Sequence, residues 1–169
     1  MRTCTVALAA LAALALLAPQ AAAQSHAHES SHAASPATND SAFAALQARG
    51  LIAMGVDQYT SKHQFDSLPN GGRIELQRMK DDSAGTATIR AHLMAIADAF
   101  RDGDFSTPAF VHFREVPGVT VMADKRSAIS IVYRELPRGA ELKITSRDPE
   151  AVRAIHRFMA FQRGDHRTD

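Results

Sequence analysis

An α+β fold follows from three features of this sequence: two β-hairpin signatures, an amphipathic helix after each, and a helical stretch before the first. The first hairpin reads as strands over 62–67 and 73–78 around Leu68-Pro69-Asn70-Gly71-Gly72. The second reads as strands over 129–133 and 141–144 around Leu136-Pro137-Arg138-Gly139. Each hairpin has one apolar face, and the helix that follows it is expected to cover that face. Two such repeats predict a mainly antiparallel four-stranded sheet with helices on one face, plus an N-terminal helix.

The N-terminal helix is placed over 41–54. Asp40 and Ser41 offer side-chain oxygens to the free first-turn amides. Phe43, Leu46, Gly50 and Met54 recur at helical spacing, and Gly55 is a natural stop. In the first hairpin, Asn-Gly tolerates the positive φ of a tight turn. Ile74 and Leu76 point to one side of the second strand, with Arg73, Glu75 and Gln77 on the other, as a sheet with one wet side requires. Thr86 is the expected cap of the next helix. Ile89, Leu93, Ile96 and Phe100 form its apolar stripe and Gly103 its end. The stretch 105–124, with Pro108, Pro117 and Gly118, reads as irregular apart from a short strand over 109–114. Asp148-Pro149-Glu150 starts the last helix, Asp as cap and Pro in the first turn. Val152, Ile155 and Met159 mark its buried side. The two halves match at a constant spacing through Leu68-Pro69-x-Gly71 and Leu136-Pro137-x-Gly139. Ile89-Arg90-Ala91 matches Val152-Arg153-Ala154 at a shorter one, and another register pairs His92 with His156.

The N-terminus reads as a cleavable secretory signal over 1–23. Arg2 precedes an uncharged Ala/Leu run from Val6 to Ala18, Pro19 breaks it, and Ala21-Ala22-Ala23 suits a signal peptidase. The run is shorter than the about 20 apolar residues a membrane span needs, so no transmembrane anchor is expected after cleavage. The expected location is the bacterial periplasm or the exterior. Residues 24–39, rich in Ser, Ala and His, read as a disordered leader before a single domain over 40–166.

Composition excludes several classes of function. Cys4 is the only cysteine and leaves with the signal, so the mature chain has no disulfide, thiolate ligand or cysteine nucleophile. Without Arg2, the 19 basic residues become 18, matching the 18 acidic ones. There is no basic stripe and no Trp, so no nucleic-acid partner is expected. No Gly-x-Ser-x-Gly elbow or glycine-rich phosphate loop occurs.

Histidine carries the main functional signal. Of eight, His26, His28 and His32 lie in the leader, where a flexible segment can capture a metal loosely. In the domain, His63 opens the first strand on the side of Phe65, and His92 lies at the edge of a helical apolar face. His112 stands among Phe110, Val111 and Phe113, and His156 beside another apolar face. His166 reads as exposed tail. Met122 follows His112 across a Pro-Gly turn, and a thioether with imidazole suits copper, above all Cu(I), where thiolates are absent. Met54, Met79, Met94 and Met159 read as core. No HxxxH, HExxH or CxxC spacing is present.

Met54-Gly55-x-Asp57-Gln58, His63, Gly71-Gly72 and Ile89-Arg90-x-His92-Leu93 together resemble a largely uncharacterised family of small secreted or periplasmic bacterial proteins. Gly103-Asp104-Phe105, Val116-Pro117-Gly118 and Ala154-Ile155-His156-x-Phe158 continue the resemblance across 51–166. It implies an exported domain and no particular activity. Relatives of that kind carry Asp at the hairpin and a second His after the first. Asn70 suits the same turn, whereas Gln64 counts against a site built on two adjacent histidines.

The function expected is therefore an exported binding protein for a transition metal, copper first and zinc second. Its ligands would come from His63, His92, His112, Met122 and His156. One alternative is a non-metal module for a peptide, lipid or partner protein, which exposed side chains around Phe110, Phe113 and Val119 would favour. Another is a small hydrolase or lyase with His63 or His92 beside a carboxylate such as Asp57.

Overall fold

The computed structural model describes residues 36–168, with side chains from Asp40 onward. The signal expected over 1–23 and the expected leader through residue 35 lie outside the described residues. In chain order the elements are α1 (Pro36–Met54), β1 (Ser61–Leu68), β2 (Gly71–Arg78), α2 (Ser83–Asp102) and α3 (Ser106–His112). Next come α4 (Val119–Asp124), β3 (Ile129–Leu136), β4 (Gly139–Ser146) and α5 (Pro149–His166). Short 3₁₀ turns occupy Gln58–Thr60 and Arg126–Ala128. The sheet order is β1-β2-β4-β3, every neighbouring pair antiparallel. This is the expected α+β class.

Alternation along the strands sorts the two faces. Phe65 pairs with Ile74, Ile74 with Leu142, and Ile131 with Ile144, all on the helix-covered side. The other side is ionic: Arg73 meets Asp66 at 2.5 Å and Arg134 meets Glu141 at 2.9 Å. Among the described residues no helix is long and apolar enough to cross a membrane.

The helices do not cover their own hairpins. α2, which follows the first hairpin, packs on β3 and β4, while α5 packs on β1 and β2. The reason lies in the strand order. Each helix leaves from a central strand, and β2 and β4 are paired, so the neighbouring half of the sheet is within reach. Two polar anchors hold the crossing. Arg90 on α2 donates to the Leu136 carbonyl at 2.8 Å, and His156 on α5 to the Leu68 carbonyl at 2.8 Å. Arg90 and His156 thus do the same work at the two Leu-Pro turns. This replaces both registers read from the sequence, including the one pairing His92 with His156.

Several boundaries also move. α1 opens at Pro36, so residues 36–39, expected in the leader, are helical; proline fits a first turn because no partner is lost there. α2 is capped by Asp82, which accepts from Gly85 N at 2.9 Å, and Thr86 lies buried inside the helix. The segment 109–114 is not a strand. Asp104 accepts from Ser106 N at 2.8 Å and Pro108 lies in the first turn, so α3 forms and ends at Phe113. Phe110, Val111 and Phe113 imitate a strand's alternation over too few residues to decide it. α5 begins as expected, with Asp148 accepting from Glu150 N at 2.7 Å.

Gly164 sits exposed within α5, and a methyl group added there meets nothing within 4 Å. Gly164→Ala should therefore stabilise the protein by about 0.5–1 kcal/mol, because glycine loses more backbone entropy in a helix. Thermal melting of the variant checks this.

Candidate functional site

Six elements, β2 among them, converge on a cavity of about 80 Å³ at the β1 side of the core. α1 brings Met54, β1 His63, α2 His92, α3 His112, and α5 Gln162 and His166. The remaining walls are mostly apolar, among them Phe65, Leu76 and Phe158. Three of the four histidines are under one-tenth exposed: His63 7 %, His112 6 % and His166 6 %. His92 is half-buried at the edge.

His63 reaches this position by strand alternation. It shares the inner face with Phe65 and pairs across the sheet with Leu76. Its Nε2 lies 3.1 Å from the Met54 sulfur, and its buried Nδ1 has no hydrogen-bond partner. The His166 ring stacks on it with centroids 5.5 Å apart and planes 12° apart. His166 Nδ1 is 3.0 Å from Gln58 Oε1 and donates to it. Its Nε2 has no hydrogen bond among the described residues.

His112 is placed edge-on to His166, with centroids 5.1 Å apart, but its nitrogens are already committed. Nδ1 meets Asp165 Oδ2 at 2.5 Å and Nε2 meets Gln162 Oε1 at 2.9 Å. Arg114 holds the other oxygen of Asp165. His92 is hydrogen-bonded to the Ala53 carbonyl.

Burial sets the charge of this cluster, because an imidazolium out of water loses its hydration. It pushes His63 down to about 4, with the neighbouring His92 adding repulsion. His166 falls to about 3, again by burial first and then by repulsion from His63 and His112. His92 is lowered by burial, and its bond to Ala53 partly offsets that. His63 and His166 are neutral at neutral pH, the state in which imidazole ligates a metal.

Of the residues expected from sequence, His63, His92 and His112 therefore meet, and two do not. Met122 is 1 % exposed within the core, on α4, and lines no part of the cavity. The Pro-Gly turn leads into a helix whose buried side holds Met122, so the sulfur is packing. His156 spends its Nε2 on the Leu68 turn. Asp57 caps the 3₁₀ turn by accepting from Tyr59 N at 2.8 Å and lines no part of the cavity. The carboxylate that does meet a cavity histidine is Asp165.

Sequence reasoning missed Met54, Gln162 and His166. Phe158, Gln162 and His166 recur every fourth residue along α5, one face of one helix. That spacing carried the signal past Met159, where the apolar stripe was taken to end. The crossing of the two units sharpens the contrast. Leu136 stands 68 residues after Leu68, so His63 corresponds to Ile131; His156 stands 66 after Arg90, so Gln162 and His166 correspond to Ile96 and Phe100. At these positions β1 and α5 carry polar groups where β3 and α2 carry hydrocarbon, and Ile96 and Phe100 line the same cavity.

The fold and cavity define an α+β domain with an internal histidine-methionine cluster. Among the described residues, no three His, Cys, Asp or Glu side chains stand together as a metal-holding group. No protein-family model matches the chain, and neither does any curated protein or solved structure.

Proposed function

We propose that this is an exported binding protein that takes a soft transition metal, copper(I) first, in the cavity between α1, β1 and α5. The donors are the Met54 sulfur, a ring nitrogen of His63 and Nε2 of His166, with His92 at the edge. The observation that carries this reading is His63 itself. It is a buried neutral imidazole with one nitrogen against a thioether at 3.1 Å and the other without any partner. A buried polar group left unsatisfied costs about 1–3 kcal/mol, which a ligand would recover.

The donor set selects the metal. Two imidazoles and a thioether suit copper(I), which favours soft ligands, whereas a structural zinc site takes four nitrogen, sulfur or oxygen ligands. His112 acts as a fixed wall, its ring held between Asp165 and Gln162. Export rests on the signal pattern at 1–23 and fits a site without thiolates.

Anaerobic titration of Cu(I) against a competing chelator tests the reading, using protein with and without residues 24–35. One equivalent should bind more tightly than about micromolar in both forms, a free energy beyond about −8 kcal/mol. Met122→Leu and His156→Gln should leave it unchanged. Binding that disappears with the leader would assign the metal to His26, His28 and His32 and end the proposal for the cavity.

The non-metal reading has its own supporting observation. Phe110 is 46 % and Phe113 83 % exposed, although Val119 packs against the core.

A further inference from the structure

Gln58 is not among the residues lining the cavity, yet it grips His166, which is, at two points. Its Nε2 donates to the His166 carbonyl at 3.2 Å, and its Oε1 lies 3.0 Å from His166 Nδ1. The chain just before it is built to aim it. α1 ends after Met54, where Gly55 takes a φ of +72° and donates to the Leu51 carbonyl at 2.8 Å. Val56 is buried, and Asp57 caps the 3₁₀ turn that Gln58 opens. The segment Met54-Gly55-Val56-Asp57-Gln58 therefore brings a sulfur to the cavity at one end and an amide to His166 at the other.

The two contacts fix the place of one proton. A backbone carbonyl only accepts, so the amide nitrogen of Gln58 must be the atom that faces it. That leaves the amide oxygen for Nδ1, and an oxygen that only accepts requires Nδ1 to carry the hydrogen. Burial keeps His166 neutral, so the ring holds a single proton and Nε2 is a bare lone pair. No donor among the described residues reaches it. His63 and Phe65 stack on the ring, with centroids at 5.5 and 5.4 Å, and His112 meets it edge-on with both nitrogens engaged elsewhere. A histidine in water prefers its proton on Nε2, so the form held here is the less favoured one.

We propose that Gln58 is a positioning residue of the metal site, locking His166 in the tautomer whose Nε2 lone pair is free for the metal. This rests on the reading of the cavity given above. Metal-ligating histidines donate their other N–H to a carbonyl, carboxylate or water, which sets the tautomer and orients the ring. Here the acceptor is already in place, so His166 needs no proton shift when a metal enters. His63 has no such partner: its Nδ1 is unbonded, and its Nε2 faces only the weakly accepting Met54 sulfur. His166 is thus the preset donor and His63 the adaptable one.

Ring-nitrogen chemical shifts of His166, which distinguish a bare nitrogen from a protonated one, test this in the metal-free chain at neutral pH. The native ring should carry its proton on Nδ1 and leave Nε2 bare. Gln58→Leu removes the acceptor, so the proton should pass largely to Nε2. Without residues 24–35, the same variant should bind Cu(I) about 10- to 100-fold more weakly, the range typical of a lost outer-shell partner. Gln58→Glu keeps an acceptor at Nδ1 but loses the donor to the His166 carbonyl. It should hold the proton on Nδ1, whereas a mere tie between the 3₁₀ turn and α5 would be lost. A native ring protonated on Nε2 overturns the proposal. So does a folded Gln58→Leu variant with an unchanged ring or unchanged Cu(I) affinity, or a Gln58→Glu variant with a bare Nδ1. The ring spectra judge the tautomer without metal. A native chain that takes up no Cu(I) ends the metal reading, and with it this role, whatever the spectra show.

Discussion

Lowering the pH from about 7 to about 4.5 should destabilise the metal-free protein by on the order of 3 kcal/mol through His63 alone. The unfolded chain takes up a proton at His63 near pH 6.5, whereas the folded protein resists until about 4. Between those values the unfolded state binds more protons, so stability falls as the pH falls. His166, held down to about 3, adds a loss in the same direction that extends to lower pH. The groups facing these rings give no relief. His63 sees the Met54 sulfur, His166 and the edge histidine His92, while His166 sees Gln58, His63 and His112. The nearest carboxylate, Asp165, is engaged by His112 and Arg114. Urea unfolding at a series of pH values measures the effect. A flat profile between about pH 6.5 and 4 would mean that these rings are hydrated, contrary to the burial described above.

Gly139→Ala is the second large effect, expected to cost about 3 kcal/mol or more. An added Cβ would lie 1.9 Å from the Leu76 carbonyl oxygen and 2.9 Å from the Gln77 Cα. Both atoms belong to the backbone of β2, the partner strand across the centre of the sheet, so neither can swing aside. At the equivalent Gly71 an added Cβ would lie 2.0 Å from the Ile144 carbonyl oxygen. The two glycines are what allow β2 and β4 to pair closely, and that pairing joins the two units. Urea denaturation of the variant checks the prediction. A loss below about 1 kcal/mol would show that the central pair has room to spread.

The local chemistry of the sequence foretold much of this fold. Asn70-Gly71 and Arg138-Gly139 marked the turns, and the alternation of Ile74 and Leu76 assigned the faces. The stripe Ile89 to Phe100, Gly103 and Asp148-Pro149 marked two helices. What local chemistry does not carry is which hairpin each helix covers, because Arg90 and His156 act on turns 46 and 88 residues away. The site was legible in the same proportion. His63, His92 and His112 were visible as imidazoles inside apolar stretches. Their meeting depends on α3 being a helix and on α5 crossing to β1. His166 read as tail because Arg163, Gly164 and Asp165 precede it, yet it lies two turns beyond Phe158 on the buried side. Met54 was visible only as the end of an apolar stripe, and nothing nearby in sequence announces its approach to His63.

The most direct measurement compares Cu(I) affinity and stability in the native chain and in His63→Ile, both without residues 24–35. Isoleucine is the residue at the corresponding position, Ile131, so the substitution has a packed precedent within the same molecule. The metal-free variant should be more stable by about 1–2 kcal/mol, as a buried unsatisfied nitrogen disappears. Its Cu(I) affinity should fall about 100-fold or more, equivalent to about 3 kcal/mol. A folded variant that binds Cu(I) as tightly as the native chain would contradict the assignment of the cavity as the metal site.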